Sequence, residues 1–273
     1  MDRILATAGT EFRIALRNRW VAIAIVLMTL FALVLSAAGS APTGGLGVDR
    51  LSVTVVSLTS LAVYLVPLLA LLMSFDAIAG EVERGTLPLL LTYPVSRAGI
   101  LAGKLLAHVL ILGIAVSLGY GAAALAAFWT DPGAARGLPS LIRLIWTSVL
   151  LGATFLGFGY LLSSLSRRPS GAAGLAIGLW LALVVLYDLG LLALVVSGAG
   201  GGFATGALPA LLLANPADAF RLFNLAAADS VGAAGGMGGA AASIPLWQSA
   251  LSLALWPFAA LILAVAAFRK ITP

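Results

Sequence analysis

The chain has 273 residues, 62% of them hydrophobic and 9% charged, against roughly 45–50% and ~25% in a soluble domain. A soluble fold so poor in charge could not cover its own surface, so the composition indicates an all-α, polytopic integral membrane protein. With no cysteine and one histidine, a disulfide scaffold is excluded and the composition argues against a classical metalloenzyme, and the net charge of +5 fits basic loops beside anionic lipid better than nucleic acid.

Over residues 1–19, Ile4, Leu5, Ala8, Phe12, Ala15 and Leu16 recur at helical spacing, with Arg3, Arg13 and Arg17 largely off that stripe. This predicts an amphipathic helix lying in the membrane interface. The apolar run that follows, Trp20–Ala38, is longer than the ~7–15 residues of a signal-peptide core. It is therefore read as an uncleaved anchor, although Ser36–Ala41 offers small residues for cleavage. A crossing helix needs ~20 mostly apolar residues. Further runs long enough are Leu51–Phe75, Gly99–Phe128, Ile142–Leu165, Gly171–Ser197 and Trp247–Phe268, which makes six expected spans. Six spans put both termini on one side, together with Arg84, Arg97, Lys104, Arg167, Arg168, Arg269 and Lys270. The other side keeps only Arg50, Arg136, Arg143 and Arg221. Basic residues accumulate in cytoplasmic loops, so both termini are expected in the cytoplasm.

The densest charge lies between the second and third spans, where Asp76, Glu81, Glu83, Arg84 and Arg97 frame the run Leu87-Pro88-Leu89-Leu90-Leu91. Gly85 can end one helical piece in a left-handed conformation. Thr86 can cap a second piece that tolerates Pro88 in its first turn. Pro94 is expected to end that piece, and Ser96 to cap the third span. A solvated loop has no need of the leucines, whereas a short helix with a charged end and an apolar face suits docking into a partner's groove.

On the third span, Lys104 and His108 share a face. Lys104 can snorkel to the cytoplasmic surface, with His108 a turn deeper and better suited to a packing hydrogen bond than to ligation. Asp188 is the only acid inside an expected span and hence a functional candidate. Its place near the outer end of the fifth span favours hydrogen bonding or pairing, with Arg143 as one possible partner, over proton coupling. Between the last two spans, Leu208–Ala214 is apolar but too short to cross, as re-entrant or interfacial pieces are. Asn215 can cap a helix with Pro216 at its first position and Asp218 in its first turn, and Phe220, Leu222, Phe223 and Leu225 make that helix apolar. Glycine runs at 198–202 and 235–239 flank this segment.

Several chemistries lack their residues. The only Gly-Lys pair, Gly103-Lys104, has Ala98 where a phosphate-binding loop needs its first glycine and Leu105 where it needs Ser or Thr. The chain therefore does not hydrolyse ATP. Ser163, Ser164 and Ser166 share the cytoplasmic half of the bundle with His108, but serine in membrane helices is more often interhelical glue than nucleophile. Met28, Met73 and His108 fall on three different spans and make no relay for copper.

Gly80-Glu81-x-Glu83-Arg84-Gly85-Thr86-Leu87, then Tyr93-Pro94-Val95-Ser96-Arg97 and Gly103-Lys104, resemble the ABC-2 class of ABC-transporter permeases. The six-span layout and the interfacial helix fit the same class. The resemblance implies one transmembrane domain over 1–273, working as a homodimer with two cytoplasmic ATPase subunits that bind ATP and Mg. Glu81, Glu83, Arg84, Gly85, Thr86, Leu87 and Leu90 would form the coupling helix that touches the ATPase. Asn215, Pro216, Phe220, Arg221 and Phe223 would lie in an outer gate or docking platform. Phe75-Asp76-Ala77, the stretch from Gly103 to His108 running on to Gly119-Tyr120-Gly121, and Asn215-Pro216 with Ala219-Phe220-Arg221-Leu222 are similar to one branch. That branch matures the copper sites of nitrous oxide reductase with a periplasmic accessory protein. Two alternatives stand beside this: an exporter of apolar or amphiphilic substrates, and an ion-coupled carrier using Asp188.

Overall fold

A computed structural model of the chain describes residues 8–13, 19–38, 49–92, 95–197, 206–226 and 244–271. Every regular element among them is helical. In chain order these are α1 (Arg19–Ala38), α2 (Arg50–Ser74), α3 (Ala79–Glu83), α4 (Leu87–Thr92), α5 (Arg97–Thr130), α6 (Leu138–Leu165), α7 (Pro169–Trp180), α8 (Tyr187–Val196), α9 (Leu208–Ala214), α10 (Pro216–Ala226) and α11 (Leu246–Arg269). A helical stretch at 8–13 precedes α1. A 3₁₀ turn, Pro132–Gly137, joins α5 to α6, and a π-helical turn, Leu181–Leu186, joins α7 to α8. The stripe residues Ile4, Leu5, Ala15 and Leu16, the pair Tyr93 and Pro94, and both glycine runs lie outside the described residues.

Five described stretches are long and apolar enough to cross a membrane: Arg50–Glu83, Arg97–Thr130, Gly133–Leu165, Pro169–Val196 and Leu246–Arg269. At the position of the first expected span, α1 contains the shorter apolar stretch Ile25–Ala37. The expected break at 129–141 is almost wholly helical. Asp131 makes this possible: its Oδ1 accepts from Gly133 N at 2.7 Å and caps the 3₁₀ turn, while its Oδ2 accepts from Arg50 N at 3.0 Å. These backbone bonds, that of Arg50 first, hold the Asp131 carboxyl below the usual range.

The bundle is built around α6. Its principal contacts are with α11 and α2, while α1 packs on α5. Of their most apolar stretches, α6 buries 67% and the fifth span 11%, so most of the fifth span faces away from the bundle. Small residues let the backbones approach, as packing between membrane helices requires. A Cβ on Gly157 would stand 2.8 Å from Ala260 Cβ on α11, and one on Gly119 would stand 3.2 Å from the Met28 backbone on α1. Phe155, Tyr160, Phe220 and Phe268 are fully buried in the core between these helices.

Candidate functional site

At one end of the bundle, α2 turns into α3. Ser163 Oγ on α6 accepts from Ile78 N and Ala79 N, both at 2.9 Å. These are donors that a helix start leaves unpaired, so the short α3 hangs from α6. It ends where Gly85 adopts a φ of 68°, a conformation that costs other residues their Cβ clearance. Gly85 N then donates to Val82 O at 3.1 Å and Thr86 N to Glu81 O at 3.0 Å, and Thr86 O receives Leu90 N at 3.1 Å to start α4.

Glu81 is turned inward. Its carboxylate accepts the Thr86 hydroxyl, and its Oε1 lies 3.6 Å from Arg84 Nη2 and 3.9 Å from Lys104 Nζ. Lys104 does not snorkel into solvent. It is 3% exposed and its Nζ meets Glu11 Oε1 of the 8–13 stretch at 2.5 Å. Three chain segments, around Glu11, Glu81 and Lys104, thus converge on one buried ammonium. A turn along α5, His108 Nδ1 shares a 2.7 Å hydrogen bond with the Tyr160 hydroxyl on α6, and the two rings stack. His108 and Ser163 are each engaged elsewhere, so no Ser–His pair forms. At the same end Arg97 Nη1 donates to the carbonyls of Phe268, Arg269 and Ile271 at 2.7, 2.9 and 2.8 Å. It braces the carbonyls at and just beyond the C-terminus of α11, where helical acceptors run out of intrahelical donors.

The outward face of α3 and α4 differs from the expected one. Leu87 is 2% exposed and belongs to the core, so it cannot meet a partner. Leu90 is half-buried against the same core. Glu83, Arg84, Gly85 and Pro88 face outward with Leu89, which is 66% exposed. Leu89 is absent from the expected set. Its spacing supplied the signal: two helical steps from Leu87 turn it ~200° to the other face.

At the opposite end, α9 and α10 form a helix pair whose turn, Asn215, is only 1% exposed. Asn215 Oδ1 accepts from Ala217 N at 2.9 Å, and its Nδ2 donates to Leu183 O at 2.7 Å. Leu183 sits in the π turn of the fifth span, a distortion that frees backbone groups and frequently marks functional positions. Counting from Pro169, Leu183 lies ~21 Å along its helix, so the Asn215 turn reaches the middle of the bundle. Its irregular backbone is buried in protein there, as non-helical backbone at such depth must be. Tyr187 Oη donates to Leu211 O at 2.8 Å and Ser252 Oγ to Leu213 O at 2.6 Å. Asn224, which sequence reasoning missed, donates from Nδ2 to Thr147 Oγ1 on α6 at 3.0 Å. Beside it Phe223 meets Trp146 edge to face at 5.5 Å.

Two expectations need correction here. Asn215, Pro216 and Phe220 are all buried, because α10 turns that face into the core, so they anchor the helix and cannot present a docking surface. The partner of Asp188 is Arg221 Nη1, at 2.8 Å, and not Arg143, which donates to Ser140 Oγ at 3.2 Å on its own helix. Among the described residues, no three His, Cys, Asp or Glu side chains gather as a metal-binding group.

Against known proteins, the family described as "ABC-2 family transporter protein" matches residues 5–271. A protein of Pseudomonas aeruginosa named "Probable ABC transporter permease protein NosY" is 45% identical over 99% of both chains. One of Stutzerimonas stutzeri with the same name is 43% identical, again over 99% of both chains.

Proposed function

Since the chain belongs to the ABC-2 family of transporter proteins, we propose that it is the six-span, non-catalytic permease subunit of an ABC transporter, driven by separate ATPase subunits. One observation carries this reading. The α3–Gly85–α4 element is fastened on its inner side to α6 through Ser163 and to Lys104 through Glu81. Its other side offers Glu83, Arg84 and Leu89 to a partner.

A push on that surface moves α6 as a unit. α6 has 28 residues and is ~42 Å long at 1.5 Å per residue. Near one end it holds α3 through Ser163, and near the other it holds α10 through Trp146 and Thr147. It is thus the lever that carries ATP-driven motion to the outer helices. The 8–13 stretch follows through Glu11, as an interfacial helix would. In this reading both termini are cytoplasmic in a bacterial inner membrane, two copies work with two ATPases that bind ATP and Mg, and α9–α10 form a re-entrant pair facing the periplasm.

The branch resemblance of Phe75–Ala77, Gly103–Gly121 and Asn215–Leu222, beside two relatives named NosY, extends the proposal to maturation of the copper sites of nitrous oxide reductase, with a NosD-like periplasmic protein docking over α9–α10. A second reading, export of an apolar or amphiphilic substrate, draws support from an open groove of about 440 Å³ lined by Leu213, Trp247, Leu251 and Trp256. The ion-coupled carrier reading is weakened, because Arg221 holds Asp188 as an ion pair.

Affinity purification from the native membrane tests the assignment. The wild-type chain is expected to bring down an ABC ATPase identified by mass spectrometry, and Leu89→Asp with Glu83→Ala is expected to lose it while the chain stays in the membrane. Full nucleotide-independent function of the isolated chain would refute the proposal.

A further inference from the structure

The joint between the fifth span and α10 holds more acid than its single base can neutralise. Arg221 Nη1 lies 2.8 Å from Asp188 Oδ2 and 3.4 Å from Asp218 Oδ1. The Asp218 side chain is 1% exposed and that of Arg221 14%. Two carboxylates facing one guanidinium leave a net negative charge at a joint where, of the two acids, only Asp188, 27% exposed, reaches the surface, which is costly for the buried Asp218. Asp218 Oδ2 is in addition buried with no hydrogen-bond partner. An ionised carboxylate oxygen can only accept, so the Asp188 carboxylate beside it cannot satisfy it. A protonated one donates, and Asp188 then becomes its partner.

We propose that Asp218 holds a proton and donates it to the Asp188 carboxylate, so that Asp188, Asp218 and Arg221 form a proton-binding site clamping the outer helix pair to the fifth span. With the proton in place the site is neutral and every oxygen has a role. Asp188 keeps its contact with Arg221, and Asp218 bridges α10 to α8. A metal ion is the poorer occupant, because the guanidinium already stands between the two acids.

The electrostatics agree with the geometry. Burial and the neighbouring Asp188 carboxyl both favour the protonated form of Asp218, against the opposing pull of Arg221. The titratable groups facing Asp218 are Asp188 and Tyr187 from the fifth span and Arg221 from its own helix. Of these Tyr187 is committed as a donor to Leu211 O. The helices α2, α6 and α11, also packed on α10, present no charge that shifts Asp218.

The sign follows from linkage. The closed joint keeps its proton to a higher pH than an opened, hydrated Asp218, because burial and the adjacent Asp188 disfavour the second negative charge only while the joint is closed. Over the range between the two the closed joint carries one proton more than the open one. Each unit rise in pH therefore disfavours closure about tenfold, until the closed form too has lost its proton. On the orientation proposed above, on which only the choice of compartment rests, the acidity of the outer compartment sets how firmly the gate helices are held.

The test uses the full chain in lipid nanodiscs and does not depend on sidedness or on an ATPase, so its failure is distinct from failure of the permease reading. Infrared titration is expected to show a carboxylic-acid carbonyl band that persists at neutral pH, disappears as pH rises and is absent in Asp218→Asn. In Asp188→Asn the midpoint should fall, because the neighbouring negative charge is gone. The chain contains no cysteine, so spin labels can be placed at Leu189→Cys and Leu225→Cys. Their separation should widen with rising pH in the wild type and stay fixed in Asp218→Asn. If Asp218→Asn does not fold, the shift in Asp188→Asn decides. A wild-type chain with no protonated carboxyl at neutral pH, or a midpoint that Asp188→Asn leaves unmoved, overturns the proposal.

Discussion

Lys104→Met tests whether the buried ammonium fastens the coupling element. The substitution keeps length and apolar stem but removes the charge that Glu11 meets at 2.5 Å and Glu81 at 3.9 Å. Removing one member of a buried ion pair costs ~3–5 kcal/mol, because the remaining charge is left uncompensated. Here the glutamates retain 17% and 21% exposure and can partly rehydrate, which lowers the expected loss to ~2–3 kcal/mol. In a chain of this size that corresponds to a fall in melting temperature of ~5–10 °C.

Thermal unfolding of the detergent-solubilised chain reads the loss directly. Glu11→Gln completes a double-mutant cycle, in which a real contact gives a coupling energy above ~0.5 kcal/mol. The exchange of charges, Lys104→Glu with Glu11→Lys, should recover part of the loss. In the complex with its ATPase, Lys104→Met should keep the two subunits together yet uncouple nucleotide hydrolysis from the permease, since the outward residues Glu83 and Leu89 are untouched. An unchanged melting temperature together with an additive cycle would falsify the clamp.

Two further substitutions probe the same element. Ser163→Ala strips the acceptor from the amides of Ile78 and Ala79 and should cost ~1–3 kcal/mol, with faster hydrogen exchange confined to residues 78–83; uniform acceleration across the bundle would point to general unfolding instead. Gly85→Ala has open space around its new Cβ, so its cost is purely the left-handed φ of 68°, ~1–2 kcal/mol. It should weaken ATPase capture without lowering the folding yield, and unaltered capture would show that the Gly85 turn does not set the docking geometry.

The local rules of the chain were legible without coordinates. Hydropathy marked the second to sixth expected spans, because a segment that must satisfy its backbone inside lipid has to be a long apolar helix, and each of those runs coincides with a described stretch long and apolar enough to cross. Gly85, Ser96 and Asn215 act over one to four residues, and the conformations expected of such residue types stand at those positions. What could not be read was which of several equivalent residues faces inward. In α4 the pattern offers a run of leucines, and only the way α4 lies on the bundle buries Leu87 and leaves Leu89 outside.

Pairing across the bundle was also hidden. Lys104 finds Glu11, His108 finds Tyr160 and Asp188 finds Arg221, each across a separation that no helical period links. The amino-acid sequence by itself determined where the chain enters and leaves the apolar phase and where its helices begin and turn, because those outcomes follow from short-range backbone chemistry and transfer free energy. Tertiary packing alone decided which charges neutralise one another and which leucine is left for a partner, because a buried charge is tolerated only where the fold brings its counterpart within a few ångströms.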